Sequence, residues 1–473
     1  MAGMVPFDRV ELDLRGAPLH VHLLGIGGAG MSAIAEVLVA LGHVVSGTDI
    51  VESTTTRRLR DLGVRVEIGH RGDNLRDATH VAVSTAISAD TPEIVAASAR
   101  GIAVMHRYDL LAAISATRST LSVSGTHGKT TTSALLALAL DAAGADPSFI
   151  IGSTVSPYGT GSRWSAGPWL VLEADESDST FLAAVRRGAI VTNVEPDHLD
   201  HHGSWEDLLA AFRRFVAETD GPTVICADDP GAVLLANASS RTLTYGTSTA
   251  ADARILDERH TGSGSTWQVS LPDGSVVELS VDLPGHHLVL NATAALVLAW
   301  AVGIDPLAAA RGIAGYRGVG RRFEERGAAG GVRFVDDYAH MPTEVRAVLS
   351  AASSGPDREG RLVAVFQPHR YSRTASVWAD YAGAFDAADV VVITEVYAAG
   401  EHPIDGVDGA LVLRAVREAS PDLDVRWMAT RAELIEGLTA LLQPGDLCLT
   451  MGAGDLTTLP DQLIDQLTAQ GRS

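Results

Sequence analysis

The chain has 473 residues, 46% of them apolar, and a formal net charge of −22. At the usual ~100–200 residues per domain this length predicts about three domains, and the acidity excludes a surface built for nucleic acid or an anionic membrane while leaving room for small anions held in local loops. Two cysteines, Cys226 and Cys448, make no disulfide framework, no stretch reaches the ~18 apolar residues of a membrane span, and the start MAGMVPFDRVELDL lacks signal-peptide character, so a cytoplasmic protein without membrane insertion is expected.

Apolar strand-like runs alternate with Ala/Leu-rich helical stretches, the pattern of an α/β protein with parallel sheets. Residues 1–107 read as a first domain. It opens with a strand over 19–24, the run Gly25-Ile26-Gly27-Gly28-Ala29-Gly30 and a helix over 31–41; a second strand over 43–46 leads to Asp49, nineteen residues beyond Gly30. This is a G-x-G-x-x-G run between strand and helix, which turns tightly and aims a helix N-terminus at a pyrophosphate. It fits NAD or another diphosphate-bearing nucleotide.

Residues 108–318 read as a second domain. A strand over 121–124 feeds the run Ser124-Gly125-Thr126-His127-Gly128-Lys129-Thr130-Thr131, and a helix over 131–143 follows. Lys129 is the one lysine of the chain, against 35 arginines. Arginine evidently serves wherever a surface needs a cation; a slim point charge is kept only inside a Gly-rich loop before a helix, where a planar guanidinium does not substitute. ATP or GTP is expected there. The glycines are two residues apart rather than four, so this is not a standard Walker A. Even so, backbone N–H groups can cradle phosphates, Lys129 can reach the β/γ oxygens, and Thr130 can ligate Mg²⁺. The strand Trp169–Glu173 ends in a carboxylate at a Walker-B-like position for Mg²⁺, crowded by Asp175, Glu176 and Asp178. A strand over 189–192 delivers Asn193-Val194-Glu195-Pro196-Asp197-His198. The nearby His201, His202, Asp197 and Asp200 could suggest zinc, but this cluster has no cysteine and the spacing fits no common zinc site. His198 is therefore assigned to Mg²⁺, and His201 and His202 to a helix start. Residues 223–283 read as β-hairpins, TWQVSL and SVVELSV flanking Pro-Asp-Gly.

Residues 319–473 read as a third α/β domain with strands RFVDDY, LVAVFQ, VVVITEV and LCLTMG. Polar residues gather at their C-terminal ends, at 336–340, 367–373, 397–401 and 452–455, where open α/β sheets bind ligands.

These runs together resemble the Mur ligase family, the ATP-dependent amide ligases of peptidoglycan precursor synthesis. The resemblance rests on HLLGIGGAGMSAIAEVL at 22–38, SGTD at 46–49, STAI at 84–87, SGTHGKTTT at 124–132, EADESD at 173–178, NVEPDHLDHHG at 193–203, GRRFE at 320–324, DDYAHMPTE at 336–344, FQPHRYSRT at 366–374 and YAAGE at 397–401. EADESD and NVEPDH favour the branch that joins L-alanine to UDP-N-acetylmuramate over the branch that recycles murein tripeptide. The resemblance implies Rossmann-like first and last domains around a P-loop-type ATPase domain with added β-hairpins, and a monomer or homodimer. It replaces NAD by the UDP of a UDP-sugar, held by Gly25, Gly27, Gly28, Gly30, Asp49 and Ser84. It implies ATP at Gly125, Thr126, His127, Gly128, Lys129, Thr130 and Thr131, one Mg²⁺ on Thr130 and a second on Glu173 and His198. His287, Asn291 and Arg321 match contacts to adenine and ribose. Asp337, Tyr338, His340, His369, Arg370 and Arg373 match the place where the incoming amino acid meets the transferred phosphate. The implied reaction passes through an acyl phosphate and a tetrahedral intermediate. Sister enzymes bridge their metals with a carbamylated lysine, for which this chain has no second lysine. Two departures stand out: Leu288 replaces a frequent asparagine and Met341 a frequent histidine. The competing readings are a tripeptide ligase, a non-catalytic UDP-sugar-binding homologue and, from the glycine run alone, a dehydrogenase.

Overall fold

The computed structural model describes residues 10–84, 87–261, 264–353 and 360–471; Thr85 and Ala86 of the 84–87 run, and the side chain of Asp200, lie outside the described residues. The chain folds into two compact units. The first comprises residues up to Leu256 with Gln268–Leu279 and Leu290–Tyr316; the second comprises Asp257–Trp267, Ser280–Val289 and the chain from Arg317 on.

The first sheet contains β1 (His20–Leu24), β2 (Val44–Asp49), β3 (Arg65–Ile68), β4 (His80–Val83) and β5 (Ala103–His106), all parallel, in the order β3-β2-β1-β4-β5. Strand β1, HVHLL, is buried at every position, histidines included, which marks a strand covered on both faces. The order reverses between β1 and β4. The glycine run after β1 and Ser84 after β4 therefore flank the crevice where doubly wound sheets bind ligands.

The middle sheet contains β6 (Ser119–Ser124), β7 (Ser148–Val155), β8 (Thr160–Arg163), β9 (Trp169–Glu173), β10 (Gly188–Val191), β11 (Thr223–Cys226), β12 (Thr242–Gly246), β13 (Ala253–Thr261), β14 (Gly264–Ser270) and β15 (Val276–Val281). Its order is β15-β14-β13-β12-β11-β10-β6-β9-β7-β8. Strand β6, which delivers the lysine loop, lies between β9 and β10, which deliver the acidic run and the 193–198 run, and all three are parallel. The hairpin reading of 223–283 is corrected over its first part. β11 pairs parallel with β10 and β12, and β12 pairs parallel with β13. TVIC is buried at every position, which suits a strand inside a parallel sheet rather than a half-exposed hairpin. The β14–β15 turn does close as a hairpin, through Leu271 N–H to Ser275 O and Gly274 N–H to Leu271 O.

The first two sheets share one apolar core: Val21, Leu23 and Ile34 belong to the same cluster as Ile150, Leu170 and Leu172. Glu36, in the helix Ala29–Ala40, accepts from the hydroxyl of Ser162 in β8. In the second unit β16 (Glu324–Ala329), β17 (Val332–Asp337), β18 (Leu362–Phe366), β19 (Val390–Ile393), β20 (Asp424–Trp427) and β21 (Leu447–Met451) form a sheet in the order β16-β17-β21-β18-β19-β20. It is parallel apart from β16, an antiparallel edge strand that the sequence reading lacked, as it lacked β20. Among the described residues no helix is long and apolar enough to cross a membrane.

Candidate active site

The lysine loop is a cradle closed by its neighbours. Gly125 and Gly128 have φ of +134° and +77°, and a Cβ at Gly128 would stand 2.6 Å from Asn291 Oδ1. Only glycine fits such a backbone at such an approach. The helix starts at Lys129, two residues earlier than the sequence suggests, and runs to Ala142 with Thr131 buried in its first turn. Its first N–H groups thus face the loop, ready for an anion. Lys129 Nζ donates to Gly125 O at 2.8 Å, to Thr126 O at 3.1 Å and to Glu176 Oε1 at 3.0 Å. Burial works against this ammonium, but Glu176 above all, then Asp175 and Glu173, outweigh it and hold its pKa above the usual lysine value. Burial likewise pushes the Glu176 carboxyl up to about 7, against the pull of Lys129.

Two loops clamp the cradle. From β10, Asn193 Oδ1 accepts His127 N–H at 2.7 Å, Asn193 O accepts Thr126 N–H at 3.0 Å, and Thr192 Oγ1 donates to His127 O at 2.6 Å. Glu195 Oε2 lies 3.3 Å from His127 Nε2. From β9, Glu173 Oε1 accepts the Thr130 hydroxyl at 2.8 Å while its Oε2 accepts Gly152 N–H at 2.6 Å. Thr130 and Glu173 are thus together as hard oxygen donors at the helix start. That set fits Mg²⁺, which takes few protein oxygens and completes its shell with phosphate and water. Among the described residues no three His, Cys, Asp or Glu side chains form a metal cage. His198 occupies a left-handed backbone position, φ +54°, with Nε2 3.3 Å from Asp197 Oδ2. His201 and His202 lie in the single turn of the short helix Leu199–His202. They tie to the acidic loop: His202 Nε2 donates to Glu176 O at 2.9 Å, and His201 Nε2 lies 3.0 Å from Ser179 Oγ.

In the first sheet Gly25 N–H and Ile26 N–H both donate to Thr48 O, and Gly28 N–H to Gly25 O, which sets the tight turn. Asp49 Oδ2 accepts Gly27 N–H at 2.9 Å and its Oδ1 accepts Val51 N–H at 3.2 Å. The carboxylate therefore shapes the glycine loop itself. The helix begins at Ala29, so Gly30 lies in its first turn, where Arg107 Nη1 would be 3.3 Å from a Cβ at Gly30.

The second unit carries a separate polar cluster at the ends of β17, β18, β19 and β21. His340 Nδ1 lies 3.1 Å from Tyr338 O and 3.2 Å from Glu344 Oε2, two acceptors that fix Nδ1 as the protonated nitrogen. Arg373 Nη1 donates to His369 Nδ1 at 2.9 Å, which puts the His369 proton on Nε2. The His369 ring stacks on Tyr397 at 5.7 Å and meets His340 edge-on at 5.8 Å. Arg321 and Arg322 lie over the Tyr338 ring at 4.8 and 5.2 Å. Asp337 is buried and accepts Ala339 N–H and Phe323 N–H; burial pushes its carboxyl up to about 6, offset in part by Arg322. Arg370 sits at φ +67° and Arg321 at φ +60°. Non-glycine residues persist in that region where surrounding structure forces them, often at working sites. His287, next to Gly285, is held neutral by burial, its pKa lowered to about 4. Asn291 stands one helical turn further on and belongs to the lysine loop of the first unit, whereas His287 and Arg321 belong to the second unit.

Three family models match consecutive stretches: the Mur ligase family catalytic domain at 20–119, the Mur ligase middle domain at 123–299, and the Mur ligase glutamate ligase domain at 321–454. The chain belongs to the Mur ligase family. Curated Mur ligases of high similarity include the UDP-N-acetylmuramate–L-alanine ligases of Kineococcus radiotolerans, 47% identical over 95% of this chain and 96% of that one, and of Sinorhizobium medicae, 43% identical over 94% and 97%. The crystal structure of UDP-N-acetylmuramate–alanine ligase from Thermotoga maritima superposes with a TM-score of 0.80 at 28% identity, covering 96% of this chain and all of that one. A murein peptide ligase from Psychrobacter arcticus shares the fold, with a TM-score of 0.70 at 23% identity over 95% and 98%.

Several residues that shape this Mur ligase site were given no role in the sequence reading, although Asn193, Glu344 and Tyr397 lay inside its motifs. Thr192 and Asn193 serve as clamps of the lysine loop, yet a strand end gives no sign of which backbone it will face. Gly152 reaches Glu173 from another strand. Glu344 and Tyr397 orient His340 and His369. Glu344 was visible only as the end of the DDYAHMPTE run.

Proposed function

We propose that the chain joins L-alanine to the lactyl carboxylate of UDP-N-acetylmuramate, with ATP cleaved to ADP and phosphate, in peptidoglycan precursor synthesis. The observation that carries the chemistry is the Lys129 ammonium held in the glycine cradle beside the Thr130–Glu173 pair. In this reading the first domain, 1–107, holds the UDP-sugar; the middle domain, 108–318, holds ATP; and 319–473 binds the amino acid.

The lactyl carboxylate oxygen attacks the γ-phosphorus of ATP, and the β–γ bond breaks to give ADP and an acyl phosphate. The amine of L-alanine then attacks the acyl carbon. The tetrahedral intermediate collapses with loss of phosphate and leaves an amide. No protein nucleophile is needed. The barrier falls through positioning and charge neutralisation. Lys129 turns from the loop carbonyls toward the β/γ oxygens. The helix start at Lys129–Thr131 receives the phosphate chain, and Thr192 and Asn193 keep the loop in shape. Thr130 and Glu173, with His198 from the neighbouring loop, are the groups that would hold Mg²⁺, which supplies neutralisation of phosphate charge. Arg370 or Arg373 suits the alanine carboxylate as a bidentate partner. His340, oriented through Nδ1 by Tyr338 O and Glu344, is the imidazole suited to take the proton the ammonium must lose before it attacks.

The test is phosphate release from ATP and Mg²⁺ in the presence of UDP-N-acetylmuramate, with and without L-alanine. Release that requires both, with product heavier by one alanine residue, supports the reading. Turnover with a tripeptide but not with L-alanine transfers the chain to the recycling reaction.

A further inference from the structure

Arg107 begins the helix Arg107–Ser115 directly after β5, the last strand of the first sheet. Its guanidinium faces two ways. Nη2 binds Asp178 Oδ2 at 2.5 Å and approaches Asp175 Oδ2 at 3.8 Å, both on the acidic loop that follows Glu173. Nη1 lies beside Gly30, 3.3 Å from where its Cβ would stand. Asp178 is 9% exposed, so this pair is shielded from solvent and is worth more than a surface ion pair. The same acidic loop carries Glu176, the partner of Lys129. Arginine, acidic loop and catalytic lysine are therefore linked by polar contacts, and the same guanidinium stands beside the glycine loop at Gly30, in a unit whose two sheets share an apolar core.

We infer that Arg107 is a positioning residue that couples occupancy of the UDP-sugar diphosphate site to the shape of the ATP site. The inference rests on the reading of the glycine loop as the diphosphate site. A guanidinium offers separate nitrogens in a fixed fork. One edge can take a phosphate oxygen at Gly30 while the other keeps Asp178. A bound diphosphate then fixes Arg107, Arg107 fixes the acidic loop, and the loop meets ATP already ordered. Because coupling of binding is reciprocal, ATP tightens the UDP-sugar by the same factor. An ammonium is a single point charge and cannot serve both edges.

The experiment is calorimetric titration of UDP-N-acetylmuramate into the full chain with Mg²⁺, with and without a non-hydrolysable ATP analogue. Wild type should bind the sugar nucleotide at least ~5-fold more tightly when the analogue is present, the lower end of typical coupling. Asp178→Asn should keep the analogue-free affinity within about threefold and lose the coupling. Arg107→Lys should lose the coupling and also weaken the sugar nucleotide alone. Wild-type binding without coupling, or coupling that survives in Asp178→Asn, overturns the inference. Absence of any binding of UDP-N-acetylmuramate to wild type overturns the functional reading instead.

Discussion

Replacing Lys129 with arginine keeps the charge and tests whether the site needs a compact ammonium. The three N–H groups of Nζ meet three acceptors, Gly125 O, Thr126 O and Glu176, at 2.8, 3.1 and 3.0 Å. A guanidinium brings five N–H groups into the same closed space. At least two are left without acceptors, at a cost of about 1–3 kcal/mol each, or about 2–6 kcal/mol in total. If the five-donor fork is as poorly matched when it turns to the β/γ oxygens in the same cradle, that loss falls on the state that must grip them. It corresponds to a fall in kcat/KM of about 30-fold to 10⁴-fold. The assay is coupled phosphate release at saturating UDP-N-acetylmuramate and L-alanine, with calorimetric binding of UDP-N-acetylmuramate as the control that the first sheet is intact. Sugar-nucleotide binding should persist. Turnover by Lys129→Arg within threefold of wild type would refute the argument that one lysine survives in this chain because arginine cannot do its work.

Three further outcomes follow from the same geometry. Glu173→Ala removes the acceptor of both Thr130 Oγ1 and Gly152 N–H; turnover should drop by roughly 10²–10³-fold and lose its dependence on Mg²⁺ concentration, and an unchanged Mg²⁺ titration removes Glu173 from the metal site. Asn193→Ala deletes the bonds to His127 N–H and O; at ~1 kcal/mol each the KM for ATP should rise about 30-fold with smaller change for L-alanine, and an equal rise for both argues against a local clamp. His22 is buried between strands beside Ser46 Oγ, and burial lowers its pKa from 6.5 to about 4. The folded state resists a proton that the unfolded chain accepts, so stability is full above pH 6.5 and falls as pH drops toward 4, by about 3 kcal/mol from this group. Urea unfolding at pH 7 and pH 4.5 should show a smaller pH dependence in His22→Asn than in wild type; identical dependence in both proteins contradicts the assignment.

The sequence by itself determined the parts whose physics is local. A glycine loop between an apolar strand and a helix must turn tightly and expose N–H groups, so both glycine loops could be read from 25–30 and 125–128. The strand Trp169–Glu173 was placed to the residue because a short apolar run ending in a carboxylate leaves little choice. Tertiary structure decided the rest, because side-chain partners distant in sequence depend on strand order. The short buried run TVIC was compatible with hairpin or parallel pairing until its neighbours β10 and β12 fixed it. The local partner of Asp49 was likewise out of reach of the sequence: the return of β2 beside β1 ties its carboxylate to Gly27 N–H. Only the packing of β9 and β10 on either side of β6 brings Glu173, Glu176 and Asn193 to one lysine loop. Arg107 and Asp178, 71 positions apart, became partners because two sheets share a core. Composition and periodicity specify the elements and the chemistry each loop can offer; which loops meet is a property of the fold.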